Sequence, residues 1–253
     1  MSRGTRLLLV AAALVLLAPF VAPYAPDAID LANRRAAPSL THWFGTDDLG
    51  RDAFSRALFG GRVSVAIGLL SAMVAVSVGV AVGAAAAYFG GWLDTVLMRA
   101  TDALLAIPRL LLLMVAAATL QPSIPALVLL VGVVGWMETA RVTRTAVRGL
   151  VSADFVSAAR ASGAGHLRIV QRHLLPNVGG AIRTAAVLAV GRAILLESAL
   201  SFFGVGVQPP DATWGSMLYQ AQSAMSTEPW LALFPGACIV LTVGSLTLAT
   251  DRR

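Results

Sequence analysis

The sequence predicts an all-α membrane protein with about six transmembrane helices. Of its 253 residues, 57% are hydrophobic and only 13% are charged, and the mean hydropathy is +0.78. Soluble domains carry charge on about a quarter of their residues, because they must cover their surface with polar groups. A bilayer removes that requirement, since apolar side chains can face lipid. The apolar residues also fall into runs near the roughly 20 residues that a membrane-spanning helix needs.

Six such runs follow one another along the chain. The predicted spans are residues 7–23, 63–89, 101–120, 124–145, 178–203 and 230–249. The first run is short and follows Arg3 and Arg6, so a secretory signal peptide is the alternative to a retained span. The polar residues 26–62 are predicted to form a loop that leads into a short helix.

The arginines indicate how the spans are oriented. All 19 basic residues are Arg. With the N-terminus placed in the cytoplasm, twelve of them fall on the cytoplasmic side and five on the other. Cytoplasmic loops carry such an excess, so both termini are expected in the cytoplasm. Residues 1–62 then form an N-terminal transmembrane helix and an extracytoplasmic loop, and residues 63–253 form a transmembrane domain with a cytoplasmic loop at 150–177. The arginines form no continuous stripe, so no nucleic-acid partner is expected.

The residue types that are missing exclude several functions. The chain has no lysine, and a P-loop needs the lysine of its GK[ST] sequence to reach the nucleotide phosphates. If ATP drives the function, ATP and Mg²⁺ are bound by another polypeptide, and no cofactor is expected in this chain. His42, His166 and His173 lie in separate segments, and no HExxH or GxSxG sequence occurs. We therefore expect no metal site and no catalytic residues, which disfavours an intramembrane enzyme.

The polar segment between the fourth and fifth predicted spans is the most informative stretch. Residues 152–177 are predicted to form two short helices. Asp154 carries the charge that is favoured at a helix N-terminus, and Gly163 suits the left-handed conformation that ends a helix. Pro176 ends the second helix and starts the next span. The face predicted for the second helix consists of Leu167, Val170 and Leu174. By itself, this pattern also fits a basic amphipathic pair lying on anionic lipid.

The spacing in this segment resembles the EAA loop of ATP-binding-cassette (ABC) importer permeases. That pattern is Glu-Ala-Ala, three residues, Gly, nine residues, and then Ile-x-Leu-Pro. Ser157 stands in place of the Glu, and His173 in place of the Ile. In the family, this loop forms a coupling helix that docks in a groove of a separate ATPase subunit. The resemblance implies an ATPase-coupling role for Asp154, Ser157, Ala158, Ala159, Gly163, Leu175 and Pro176.

Two other stretches resemble the second permease of peptide and nickel importers. Residues 45–52 read Gly-Thr-Asp-Asp-Leu-Gly-Arg-Asp, and they match the run Gly-Thr-Asp-x-x-Gly-Arg-Asp of that subfamily. Residues 197–210, followed by Trp214 and Gly215, match a second run. The resemblance extends from about residue 40 to residue 248.

The resemblance implies a fold, a function and a set of partners. The fold is that of type I ABC importer permeases (MetI-like), and the chain would form half of a translocation path for dipeptides or oligopeptides across the bacterial cytoplasmic (inner) membrane. The implied partners are a second homologous permease, two ABC ATPase subunits, an extracytoplasmic solute-binding protein and the lipid bilayer. Nickel or another small solute is the alternative cargo. A self-sufficient channel is an alternative of another class, but it would need no ATPase-docking loop.

Three residues within predicted spans are candidates for the translocation path or a subunit interface. A charge in a bilayer costs ~2.5–3.5 kcal/mol on insertion scales and usually marks function. Arg192 and Glu197 are five residues apart and do not share a helix face, so we expect them not to pair with each other. Each is expected to face the helix bundle or the partner permease. Pro108 removes a backbone donor and can kink the third span, as a hinge or as a static kink.

Two further patterns concern packing and anchoring. Gly79 and Gly83 form a GxxxG pair, which permits close approach of another helix. Arginines on one face near the end of the fourth span are predicted to extend towards water. Glu138 lies within i,i+3 reach of Arg141. That face consists of Arg141, Arg144 and Arg148.

Overall fold

A computed structural model describes residues 17–121 and 123–250, and within these residues all regular secondary structure is helical apart from one bridge between Thr46 and Asp52. The α-helices are α1 (Ala18–Val21), α2 (Ala53–Phe89), α3 (Gly91–Ala106), α4 (Arg109–Leu120), α5 (Ile124–Arg148), α6 (Asp154–Ala161), α7 (His166–Ile169), α8 (Leu175–Asn177), α9 (Gly179–Phe202), α10 (Trp214–Ala221) and α11 (Trp230–Thr250). Leu31–Asn33 and Gln222–Ala224 form 3₁₀ turns, and Val170–Leu174 forms a π-helical turn.

Within the described residues, four helices are long and apolar enough to cross a membrane: α2, α5, α9 and α11. The pair α3 and α4 meets the same criteria together but is bent by 77° at the break between them. Counted as one span, the pair makes five. The predicted all-α membrane fold is therefore confirmed. The predicted first span, residues 7–23, lies largely outside the described residues.

Helix α2 is longer than predicted, because the short helix expected before residue 63 and the second span are one continuous helix. The Asp52 side chain accepts a hydrogen bond of 2.7 Å from the Ser55 N–H and caps the start of the helix. Gly90, with φ +63°, ends it. At 1.5 Å per residue its 37 residues extend roughly 55 Å, which exceeds the ~30 Å of the hydrocarbon core. Helix α2 therefore runs from one end of the bundle to the other.

Close packing of α2 against α5 forms the centre of the bundle. A Cβ atom on Gly79 would lie 2.6 Å from the Trp136 carbonyl oxygen, and one on Gly83 would clash with the Ala140 carbonyl oxygen. On the α5 side of the contact, a Cβ atom on Gly132 would lie 2.9 Å from the Ser71 carbonyl oxygen of α2. The GxxxG prediction is confirmed, and α5 is the helix that the two glycines admit.

The third span is broken, not merely kinked. Helix α3 ends at Ala106, the linking residues Ile107 and Pro108 are extended, and α4 begins at Arg109. Proline lacks an N–H and disfavours the α conformation of the residue before it, which explains the position of the break. The span also begins earlier than predicted, at Gly91 instead of residue 101.

The connecting segments gather at opposite ends of α2. The Trp214 Nε1 atom donates a hydrogen bond of 2.9 Å to the Ala57 carbonyl oxygen, near the start of α2. The segment after α5 packs instead against Tyr88, near the end of α2. Since α2 is a membrane-spanning helix, the loop before it and the segment at 150–177 lie on opposite sides of the membrane.

Candidate functional site

The segment between α5 and α9 folds as the predicted pair of short helices. Helix α6 is eight residues long, and the turn after it contains Gly163 with φ +77°. That left-handed conformation is costly for residues that have a Cβ atom. Helix α7 begins at His166 and continues through the π turn and α8 to Val178, which precedes α9. Gly163 therefore sets the angle between the two arms of the segment.

Apolar side chains anchor this segment to the end of the bundle. Val156, Ile169 and Leu174 are fully buried and belong to one cluster with Val147 of α5 and Tyr88 of α2. Full burial of such a side chain stabilises by about 1.5–3 kcal/mol. The segment is thus packed against two spans and is positioned to move with them.

A hydrogen bond adds to this apolar anchoring. The Tyr88 hydroxyl and the His166 Nδ1 atom lie 2.8 Å apart, within hydrogen-bonding distance. This contact ties the start of α7 to the last turn of α2.

One part of the predicted apolar face is wrong. Leu174 is buried as expected, but Leu167 is 69% exposed and Ile169 takes its place in the cluster. Ile169 and Leu174 are five residues apart, which is the hydrogen-bond spacing of a π-helix, so the π turn brings both to nearly the same side. The prediction assumed the period of an α-helix.

Most of the coupling candidates face outward. Asp154, Ser157, Ala158, Gly163 and Pro176 are exposed, whereas Ala159 and Leu175 are half-buried. Helix α6 buries only Val156. A short helix with one buried residue leaves nearly its whole surface free, at the end of the bundle where the segment protrudes.

A second polar group lies at the middle of the membrane-spanning helices. Glu138 of α5 pairs with Arg192 of α9, with 2.8 Å between Oε2 and Nε, and it also accepts a hydrogen bond from Arg109 at the start of α4. All three side chains are partly exposed. Arg192 therefore faces a neighbouring helix, as predicted. The sequence spacing pointed to Arg141 as the partner of Glu138, whereas its partners in the structure are far away in the sequence.

The predicted snorkelling arginines make ion pairs with α3 instead. Arg144 is bidentate to Asp94, at 2.5 and 2.6 Å, and Arg148 reaches the same carboxylate at 3.1 Å. Arg141 pairs with Asp102. The acidic partners were not recognised because α3 was not predicted to lie beside the end of α5. These pairs hold α3 against α5.

Glu197 is fully buried and faces the bundle, as predicted. Its carboxylate accepts hydrogen bonds from the hydroxyls of Ser64 at 3.1 Å and Ser201 at 2.8 Å. The Ser64 hydroxyl oxygen in turn accepts a hydrogen bond of 3.2 Å from the backbone N–H of Trp214. The network joins α2, α9 and α10. Its position indicates that Glu197 holds these helices together and does not line an open path.

Residues 57–252 match the family model described as "Binding-protein-dependent transport system inner membrane component". The chain belongs to this family. It is also 39% identical over 239 residues to a Brucella suis biovar 1 protein named as a peptide permease, covering 94% of this chain and 79% of the relative. It is 34% identical over 249 residues to the dipeptide transport system permease protein DppC of Bacillus subtilis strain 168, covering 98% of this chain and 78% of the relative. The predicted family is confirmed, and the protein is a multi-pass membrane component of a transport system.

The Gly-Thr-Asp-x-x-Gly-Arg-Asp run of this permease folds the loop onto the start of α2. Asp47 lies 2.7 Å from Arg51 Nε and 3.5 Å from Arg56 Nε, and the Arg56 side chain is almost fully buried. Asp52, which caps α2, also lies 2.9 Å from His42 Nδ1. A loop held by this many charged contacts has a fixed shape, so the run gives the permease an ordered surface at the end opposite α6.

Proposed function

We propose that this chain is one of two permease subunits of an ATP-driven peptide importer. The names of its relatives, a peptide permease and a dipeptide transport system permease, support the cargo. The proposed assembly contains a second homologous permease, two ATPase subunits that bind ATP and Mg²⁺, and an extracytoplasmic solute-binding protein. The chain forms half of the translocation path and has no catalytic role of its own.

The exposed helix α6 carries the coupling proposal. It projects from the bundle end opposite the ordered loop, and it buries a single residue in this chain. Of the residues that match the EAA pattern, Ala158 and Ala159 lie on it and Gly163 lies in the turn after it. We assign residues 150–177 to the cytoplasmic side, because the loops and termini predicted on that side carry the excess of arginines. The N- and C-termini are then also cytoplasmic, and residues 26–52 are extracytoplasmic.

In the proposed cycle, ATP binding closes the two ATPase subunits and draws the docked α6 helices of both permeases together. Because the segment is packed on the ends of α2 and α5, its movement is passed directly to the two central spans. The permease pair then opens outward to receive cargo from the binding protein. Hydrolysis returns it to the inward-open state.

Two changes in the coupling segment test the proposal. Ala158→Glu places a charge on the exposed face of α6, and Gly163→Pro cannot adopt the φ of +77° that the turn requires. Both are expected to reduce dipeptide uptake into proteoliposomes containing the complete transporter at least about tenfold, which corresponds to ~1.4 kcal/mol of lost coupling. Co-purification of the ATPase subunits should also weaken.

Ser152→Glu is the matched control, since it adds the same charge at an exposed position just outside α6. It should leave uptake near the wild-type rate. Full uptake and normal ATPase retention in both Ala158→Glu and Gly163→Pro would refute the docking role. A complete wild-type transporter that takes up no peptide would instead refute the cargo.

A further inference from the structure

The cluster of Arg109, Glu138 and Arg192 has an excess of positive charge. Two guanidinium groups share one carboxylate, and within residues 17–121 and 123–250 Glu138 is the acidic partner of both. Arg192 contacts the carboxylate through Nε and Arg109 donates through Nη2, and neither guanidinium group makes a further hydrogen bond to a protein acceptor among the described residues. An arginine normally fills several of its five donors.

The break in the third span adds to this positive potential. The first backbone hydrogen bond within α4 runs from the Leu112 N–H to the Pro108 carbonyl oxygen, at 3.2 Å. The preceding N–H groups of α4 therefore have no intrahelical acceptor. The positive end of the helix dipole lies here, and a cation at this place is unfavourable for the helix itself. Arg109 is thus placed where stability alone would favour an acidic residue.

The cluster lies at mid-membrane depth and reaches the surface of the chain. Arg192 is the fourteenth of 24 residues in α9, and Glu138 is the fifteenth of 25 in α5. About a third of each of these side chains is exposed. Charges at this depth avoid hydrocarbon and face either a water-filled path or another subunit. A narrow cleft lined by small residues, including Ala75, Gly135 and Ala189, adjoins the two arginines.

We propose that Arg109 and Arg192 bind the carboxylate of a peptide as it crosses the membrane, an inference that rests on the proposed peptide cargo. Every peptide has a C-terminal carboxylate whatever its length and side chains, and a guanidinium group binds a carboxylate through two parallel hydrogen bonds. This site recognises what all peptides share. Glu138 holds both arginines in position through its two ion pairs.

The test compares charge-neutralised variants of the complete transporter in proteoliposomes, with uptake of a labelled dipeptide as the readout. Arg192→Gln should lower uptake about tenfold, the loss of one charge-assisted contact. Glu138→Gln keeps both arginines and an amide oxygen that can still position them, so uptake should fall far less. The double variant Arg192→Gln with Glu138→Gln should stay as low as Arg192→Gln alone.

An ion pair that only stabilises the fold gives the opposite pattern. The two single variants would then lose uptake equally, and the double variant would recover it; that result would overturn the inference. Loss of the second permease on purification of Arg192→Gln would also overturn it, by making Arg192 an interface residue. Arg141→Gln, on the same helix as Glu138 and paired with Asp102, is the control and should transport normally. Wild-type transport of dipeptides together with normal transport by Arg192→Gln would refute this site and leave the proposed function intact.

Discussion

Arg192 and Glu197 lie on the same helix, α9, yet their side chains have different surroundings. Glu197 is fully buried and bound by two serine hydroxyls, whereas Arg192 is about one-third exposed beside a single carboxylate. A buried group whose hydrogen bonds are all made within the bundle stabilises a particular packing. A partly exposed charge near mid-membrane depth requires water or another subunit beside it. The same sequence signal, an intramembrane charge, therefore has two physical meanings in this protein.

The buried network predicts that Glu197→Ala destabilises the permease. The change leaves the hydroxyls of Ser64 and Ser201 without their acceptor, which costs about 1–3 kcal/mol. Glu197→Gln retains one acceptor oxygen and should cost less. Thermal unfolding of the purified protein in detergent measures both, with Ser162→Ala at an exposed position as the control. Equal stability of Glu197→Ala and wild type would contradict the structural role.

At the scale of elements, α3 is held in place mainly by charge. Its apolar residues Trp92 and Val96 are 76% and 53% exposed, so they add little packing within this chain. Asp94, in contrast, is shared by Arg144 and Arg148 of α5. Helix α3 is also separated from α4 by the break at Pro108. It is thus joined to the bundle by its ends and by ion pairs.

Asp94→Asn is therefore expected to loosen α3. The change leaves two arginines without their shared carboxylate, and charge-assisted hydrogen bonds are about twice as strong as neutral ones. Hydrogen–deuterium exchange should rise several-fold in residues 91–106 and stay unchanged in α9. Asp102→Asn, at a half-exposed pair, should have a much smaller effect because water screens such pairs. Unchanged exchange of α3 in Asp94→Asn would show that packing, not charge, holds this helix.

Hydropathy correctly predicted the helices whose apolar side chains face lipid. It failed for polar segments that are buried by other parts of the protein. The short helix expected before residue 63 was not predicted to be continuous with the second span, because Arg56 interrupts the apolar run; in the fold the Arg56 side chain is almost fully buried beside Asp47 of the loop. The turn at Gly163 was predicted correctly, since its backbone conformation is a local property. The cluster around Glu138 could not be found, because it brings together three helices that are distant in the sequence.

At the scale of the whole molecule, the ordered loop and α6 lie at opposite ends of the bundle. Asp47 of the loop pairs with Arg56 at the start of α2, and His166, in the segment that carries α6, contacts Tyr88 at its end. A loop fixed by buried ion pairs offers a stable surface to a partner on one side of the membrane. The exposed α6 offers another surface on the other side. Two partners can thus bind the permease at once, each on its own side.

Cysteine labelling tests the direction of this arrangement. In a Cys238→Ser background, which removes the one native cysteine, Thr41→Cys should react with a membrane-impermeant maleimide added outside intact spheroplasts. Ser162→Cys should react only after the membrane is opened, because the excess of arginines assigns its side to the cytoplasm. Both positions are exposed in the structure. The reverse labelling pattern would invert the proposed topology, and labelling of both from outside would contradict the fold.

The uninterrupted helix α2 also has a mechanical consequence. A stiff strut roughly 55 Å long that pivots about its middle moves both tips at once, and a tilt of about 5° displaces each tip by roughly 2 Å in opposite directions. One tip sits under the loop of residues 24–52, and the other is fastened to the hairpin that carries α6. Movement of the segment that carries α6 is therefore transmitted along α2 to the opposite end of the bundle, because no break interrupts the helix.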